Sequence, residues 1–174
     1  MLIKKISIIV MELDLINCKP DEYYMSLAIK QSILAAHEGE VPVGAVAVLN
    51  NEVIAKSYNQ IEMLKDATAH AEILALTQAS NFIGDWRLNE VILYVTKEPC
   101  AMCAGAMVNC KLSKLVFGIR DSKYGAAGST SLDVTNFSGS LHRVEVVSGV
   151  MEYECLNIFQ SFFKEIRNKK KNNY

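Results

Sequence analysis

Val91-Ile92-Leu93-Tyr94-Val95, then Cys100 through Leu112, then Leu115-Val116-Phe117-Gly118, is the stretch that decides the fold. The first run is apolar on both faces, as expected of a central strand covered on both sides. The second reads as a helix made close-packing by Ala101, Ala104, Gly105 and Ala106, and the third as another strand. Strand, helix and strand at this spacing imply a right-handed parallel crossover.

Upstream, Val43 to Leu49 and Val53 to Tyr58 flank Asn50-Asn51 and read as an antiparallel hairpin, because asparagine tolerates the positive φ of tight turns. Ala69 to Ser80 is Ala/Leu-rich and reads as a helix that Gly84-Asp85 breaks. Tyr24, Leu27, Ala28, Leu34 and Ala35 follow Pro20-Asp21 at helical spacing and predict a first helix over 21–38, ended by Gly39. Downstream, residues 119–140 are rich in Gly, Ser, Thr and Asp and are expected to be mostly loop and short helix; loops of that length are often functional. A last strand is expected at 144–147 and a last helix over 153–167. The economical assembly is α/β: three α/β/α layers with a central mixed sheet of about five strands. Residues 1–20 read as an N-terminal extension of unknown role, and 21–174 as a single domain.

The chain has 174 residues, 51% of them apolar and 21% charged, with nine Gly and three Pro, which excludes disordered, collagen-like and low-complexity classes. A net charge of −1 argues against a surface coated in basic residues. Five cysteines, an odd number without a secretory signal, point to thiols used as metal ligands or small core residues in a reducing compartment, so the cytoplasm is the expected location. The apolar run Ile6 to Met11 is too short for a signal core, and nothing approaches the roughly 20 residues of a membrane span.

His70-Ala71-Glu72 opens one helix and Pro99-Cys100-Ala101-Met102-Cys103 the next, with a strand between them, so two helix starts converge on one sheet edge. Helix N-termini favour thiolates, and zinc accepts both sulfur and imidazole nitrogen. Cys100, Cys103 and His70 are therefore candidate ligands for one Zn2+ per chain. On an unbroken helix Cys110 lies about 10.5 Å beyond Cys103, too far for a shared ion. An open fourth position is the catalytic arrangement. Glu72, two residues from His70 and on a different helix face, is the candidate proton carrier. H-x-E followed by P-C-x-x-C is the signature of the zinc nucleobase deaminases.

With these residues assembled, the chain resembles the bacterial tRNA-specific adenosine deaminases, of the cytidine deaminase-like fold, which convert a wobble adenosine to inosine. Glu40 to Ala45, Tyr58-Asn59, Thr68 to Glu72, Leu93 to Thr96, Glu98 to Met107, Val116 to Asp121 and Gly125 to Ser129 all resemble that family in order. The resemblance implies zinc on His70, Cys100 and Cys103, proton transfer by Glu72, contact of Asn59 and the Ala71 backbone with a flipped base, and Asp121 and Lys123 bordering the RNA path. It implies a tRNA anticodon stem-loop as partner and a homodimer that completes each active site. Ala67, Lys97 and Gln60 depart from the family pattern, in which proline, an apolar residue and a basic residue are usual.

The last eleven residues carry Lys164, Arg167, Lys169, Lys170 and Lys171 against Glu165, a local +4 that leaves −5 elsewhere. Such a basic helix end would meet RNA phosphates, with Phe162 or Phe163 free to stack on a base and at least one of them in the core. Cys18, Cys110 and Cys155 are expected to be unreactive thiols, and Met102 and Met107 core residues. Two other readings stand beside this one: a deaminase of free bases or nucleosides, and a structural zinc module or RNA-binding domain without catalysis.

Overall fold

The computed structural model describes residues 20–172. The expected extension, Pro20 excepted, lies outside the described residues, and Cys18 with it. The first helix, α1, spans Asp21–His37. Strands β1 (Gly44–Leu49) and β2 (Glu52–Tyr58) form the hairpin, with Asn50 and Asn51 at φ of 50° and 62° as its two-residue turn. A single-turn helix, α2, occupies Ile61–Leu64, and α3 spans Ala71–Ile83, closed by Gly84 in the left-handed conformation. Strand β3 (Ile92–Lys97), helix α4 (Ala101–Asn109) and strand β4 (Lys114–Ile119) form the crossover. Strand β5 (Glu145–Ser148) and helix α5 (Glu152–Asn172) complete the described chain.

The sheet order is β2-β1-β3-β4-β5. β1 is antiparallel to β2 and β3, whereas β3, β4 and β5 run parallel, so the sheet is mixed. Side chains alternate across it as the pleat requires. Ala45, Ala47, Leu93, Val95, Leu115 and Phe117 pack with Ala75, Cys103 and Met107 of α3 and α4 on one face. Val46, Val48, Tyr94 and Val116 pack with Met25, Ala28 and Cys155 of α1 and α5 on the other. Full burial of residues such as Leu93, Leu115 and Phe117 contributes about 1.5–3 kcal/mol each. The close approach of α1 to β1 demands Gly44: a Cβ there would sit 2.1 Å from the Ala28 carbonyl oxygen.

Four local expectations change. The helix expected over 100–112 is Ala101–Asn109, because Cys100 is its extended N-cap and Lys111 turns the chain at φ 57°. Helix α5 runs past 167 to Asn172. No helix occurs between Ile119 and Glu145; this loop is held by side-chain acceptors instead. Met102 is 37% exposed while Met107 is buried, since only the latter faces the sheet. Helix α2 has no apolar periodicity over its four residues, so nothing local announces it.

Candidate active site and metal centre

His70 and Cys100 are the N-cap residues of α3 and α4, both in extended backbone conformation, so their side chains project ahead of the two helices rather than along them. Cys103 follows one turn into α4 and is buried. His70 Nδ1 lies 3.8 Å from Cys100 Sγ and 3.5 Å from Cys103 Sγ. The three donor atoms all fall within 4.8 Å of one another. Zinc at about 2.3 Å from sulfur and 2.0–2.1 Å from nitrogen, in a tetrahedron, separates such donors by about 3.6 Å. The donor set and its spacing therefore fit zinc.

The electrostatics of the triplet fit a cation as well. The Cys100 thiol is held at about 3 by the hydrogen bond from Cys103 and by His70, against partial burial. Cys103 is pushed up by the neighbouring Cys100 sulfur and by burial. A positive charge at the triplet favours the thiolate form of both sulfurs. His70 is raised by its hydrogen bond to Cys100, with burial opposing and the charge of Glu72 assisting.

Glu72, at the second helical position of α3, is only 4% exposed. Desolvation pushes its carboxyl up, which suits a group that must hold a proton as well as release it. Cys110 takes no part: it is the C-cap of α4, its thiol donates to the Met107 carbonyl at 3.4 Å, and burial raises it to about 11. Cys155 is buried and raised to about 12. All four described cysteines are free. The His142 ring bonds the Leu112 carbonyl at 2.7 Å, a structural role.

The triplet opens into a cavity of about 200 Å³ lined by Val43, Asn59, Ile61, Lys97, Glu98 and Phe159 together with His70, Glu72 and Cys100. Asn59 is buried, its backbone N–H bonded to the Val43 carbonyl at 3.0 Å. Its Nδ2 donates to Glu40 Oε2 at 3.0 Å, which leaves Oδ1 as the free end of the amide. The Ala71 carbonyl accepts from Ser57 Oγ at 2.7 Å, while its N–H, at the first position of α3, has no intrahelical acceptor. Asp121 stands at the lip, paired with Lys97. Burial raises its carboxyl, but Lys97 and the Lys123 and Tyr124 N–H groups outweigh that and hold it below the usual range. Lys123 is exposed on the loop and outside the cavity lining.

Five residues to which the sequence assigns no role build or brace this cavity: Glu40, Glu98, Gly125, Lys97 and Phe159. Glu40, 2% exposed, accepts from Asn59 and, through Oε1, from Met63 N at 2.8 Å, so it sets both Asn59 and α2. Glu98, 3% exposed, accepts from Asp121 N, Ala127 N and Ser129 N at 2.9, 3.1 and 3.0 Å and thereby closes the 121–129 loop over the site. Gly125 is required for this closure, because a Cβ there would lie 2.4 Å from Glu98 Cδ. Lys97 and Phe159 meet at the lip, with Nζ 5.6 Å from the ring centroid. Both acids adjoin recognisable motifs: Glu40 directly precedes the apolar run from Val41 to Leu49, and Glu98 directly precedes Pro99-Cys100. Phe162 and Phe163 are both half-buried rather than one being in the core; Phe163 stacks on Phe159 at 5.0 Å between centroids.

Residues 19–167 match the MafB19-like deaminase family. The tRNA-specific adenosine deaminase of Bacillus subtilis (strain 168) is 47% identical over 151 residues, covering 87% of this chain and 93% of its own. That of Rickettsia typhi (strain ATCC VR-144 / Wilmington) is 43% identical over 145 residues, covering 82% and 97%. A solved structure from studies of A-to-I editing by tRNA:A34 deaminases superposes with a TM-score of 0.74 at 40% identity, over 78% of this chain and 98% of that one. Metal-ready triplet, buried carboxylate, sheet order and kinship agree, and the chain belongs to the deaminase family, among its tRNA-specific adenosine deaminases.

Proposed function

We propose that this protein hydrolyses the wobble adenosine of a tRNA anticodon to inosine, releasing ammonia, with one zinc ion per subunit held by His70, Cys100 and Cys103. The observation that carries the reading is the triplet of donors opening into a cavity shared with buried Glu72 and with Asn59. Zinc held by these three residues would act as a Lewis acid and would lower the pKa of a bound water to about 7. Glu72 takes a proton from the attacking water, delivers it to the adenine ring nitrogen N1, and carries the next to the exocyclic amine, which leaves as ammonia. Asn59 Oδ1 and the Ala71 N–H hold the flipped base. An anticodon loop suits this chemistry because its bases are cheaply splayed out. Asp121 and Lys123 border the strand.

Residues 21–174 form the catalytic domain, with the basic end of α5 toward the RNA. The enzyme is a homodimer of the cytoplasm. An apolar groove on the outer side of α3 and α4, lined by Ile73, Leu76, Trp86, Ala106 and Cys110, supports a second copy seated there. Among the described residues, no helix is long and apolar enough to cross a membrane.

The test is incubation of zinc-loaded protein with an anticodon stem-loop carrying a wobble adenosine. Inosine is expected. Full zinc occupancy without inosine, or ammonia released from free guanine or cytidine instead, would contradict the reading.

A further inference from the structure

We infer that Lys97 is a substrate-binding residue that holds a backbone phosphate of the nucleotide entering the pocket, with Asp121 as the counterion it keeps in the free protein. The inference rests on the proposed action on RNA and extends it to a cavity residue that the proposed function leaves without a role.

Lys97 ends β3, three residues before Cys100, so its backbone is fixed by the central sheet. Its side chain lines the catalytic cavity beside Asn59, His70 and Glu72. The cavity lining also carries two acids, Glu72 and Glu98, and among the described residues Lys97 is its one Lys or Arg. Glu98 is occupied by three backbone N–H groups and has no need of a cation. The ammonium instead pairs with Asp121, their side chains 21% and 13% exposed, and lies 5.6 Å from the Phe159 ring centroid. An ammonium has three donors, so it can donate to Asp121 and to a phosphate oxygen together.

Position and surroundings point to a phosphate. A base inserted toward Glu72 leaves its own sugar and phosphates at the lip, where Lys97 stands. Phe159 also lines a second cavity, of about 560 Å³, with Gln160, Phe163, Lys164 and Arg167. The two cavities share Phe159 in their linings, so the cationic, aromatic face of α5 begins beside the catalytic cavity. Without Lys97, an uncompensated Asp121 carboxylate would face the strand at the start of that face and repel it.

The experiment measures binding of an inosine-bearing stem-loop, which needs no turnover, as a function of salt, alongside kcat and KM on the adenosine stem-loop. Lys97→Met is expected to raise Kd and KM about fivefold to tenfold with kcat within about twofold, and to lower the salt slope by about 0.7, the value for one phosphate on a single strand. Lys97→Arg is expected to restore most of the affinity. Asp121→Asn retains an oxygen for the Lys123 and Tyr124 N–H groups and releases the ammonium, so binding should tighten about twofold. A purely structural latch predicts the opposite sign for Asp121→Asn: both single variants weaken binding. An unchanged slope in Lys97→Met, or weakened binding in Asp121→Asn, overturns the inference while wild-type inosine formation leaves the proposed activity standing. Absence of inosine formation by the wild type overturns both.

Discussion

The floor and the lip of the candidate catalytic cavity are built by different physics. The floor is two helix N-termini resting on the central strands, with Cys103 and the flanking Ala71, Val95 and Phe117 at 0% exposure. Nothing there moves without disturbing close-packed core. The lip is loop and terminal helix, held by two buried carboxylates and one partly exposed ion pair. Rigid placement serves the bond-making groups, whereas a polar, adjustable rim can be altered to choose a substrate without touching the chemistry.

Substitutions at the floor should therefore abolish turnover, and substitutions at the lip should change KM, stability or salt response. Glu72→Gln is the largest expected effect: a loss of roughly 10³-fold or more in kcat with zinc content unchanged, read by inosine assay and metal analysis. Loss of zinc along with activity would make Glu72 a ligand instead. His70→Ala removes a donor and should lower metal content, activity and thermal midpoint together, and a strong chelator should do the same to the wild type, reversibly on adding zinc.

Glu98→Ala comes next. It leaves three backbone N–H groups without their acceptor, so about 3 kcal/mol of stability and roughly 6–12 °C of thermal midpoint should be lost, with a higher KM and retained zinc. Glu98→Gln, which keeps one acceptor oxygen, should recover part of it. If Glu98→Ala instead strips the metal while leaving the midpoint unchanged, floor and lip are not separable.

Much of the floor is legible in the sequence because its parts are local. Two thiols three residues apart at a helix start, and a histidine and a glutamate at another, announce themselves by spacing, and the strand between them places both starts at one sheet edge. The lip is not local. Lys97 and Phe159 are brought together by the docking of α5 across the sheet, and Glu40 reaches Asn59 through the close packing that Gly44 permits. Helical spacing sets Met102 and Met107 about 140° apart on α4 but does not say which of them faces the sheet.

The smallest expected effect concerns pH. The Asp121 carboxyl sits below its ordinary 3.8, so the stability it contributes is fully present above that value and is lost as the pH falls through the lower, folded-state value. The wild type should exceed Asp121→Asn in thermal midpoint at neutral pH by a few degrees at most, and the difference should shrink once the pH falls below 3.8 and vanish below the folded-state value. A difference that grows on acidification would contradict the pairing.

The most direct test is metal analysis joined to the stem-loop assay on wild type and Glu72→Gln. One zinc per chain in both proteins, with inosine formed only by the wild type, is the expected result. Full zinc with no inosine from the wild type, or equal inosine from both, would contradict a catalytic floor made of a three-donor metal site and one mobile carboxylate.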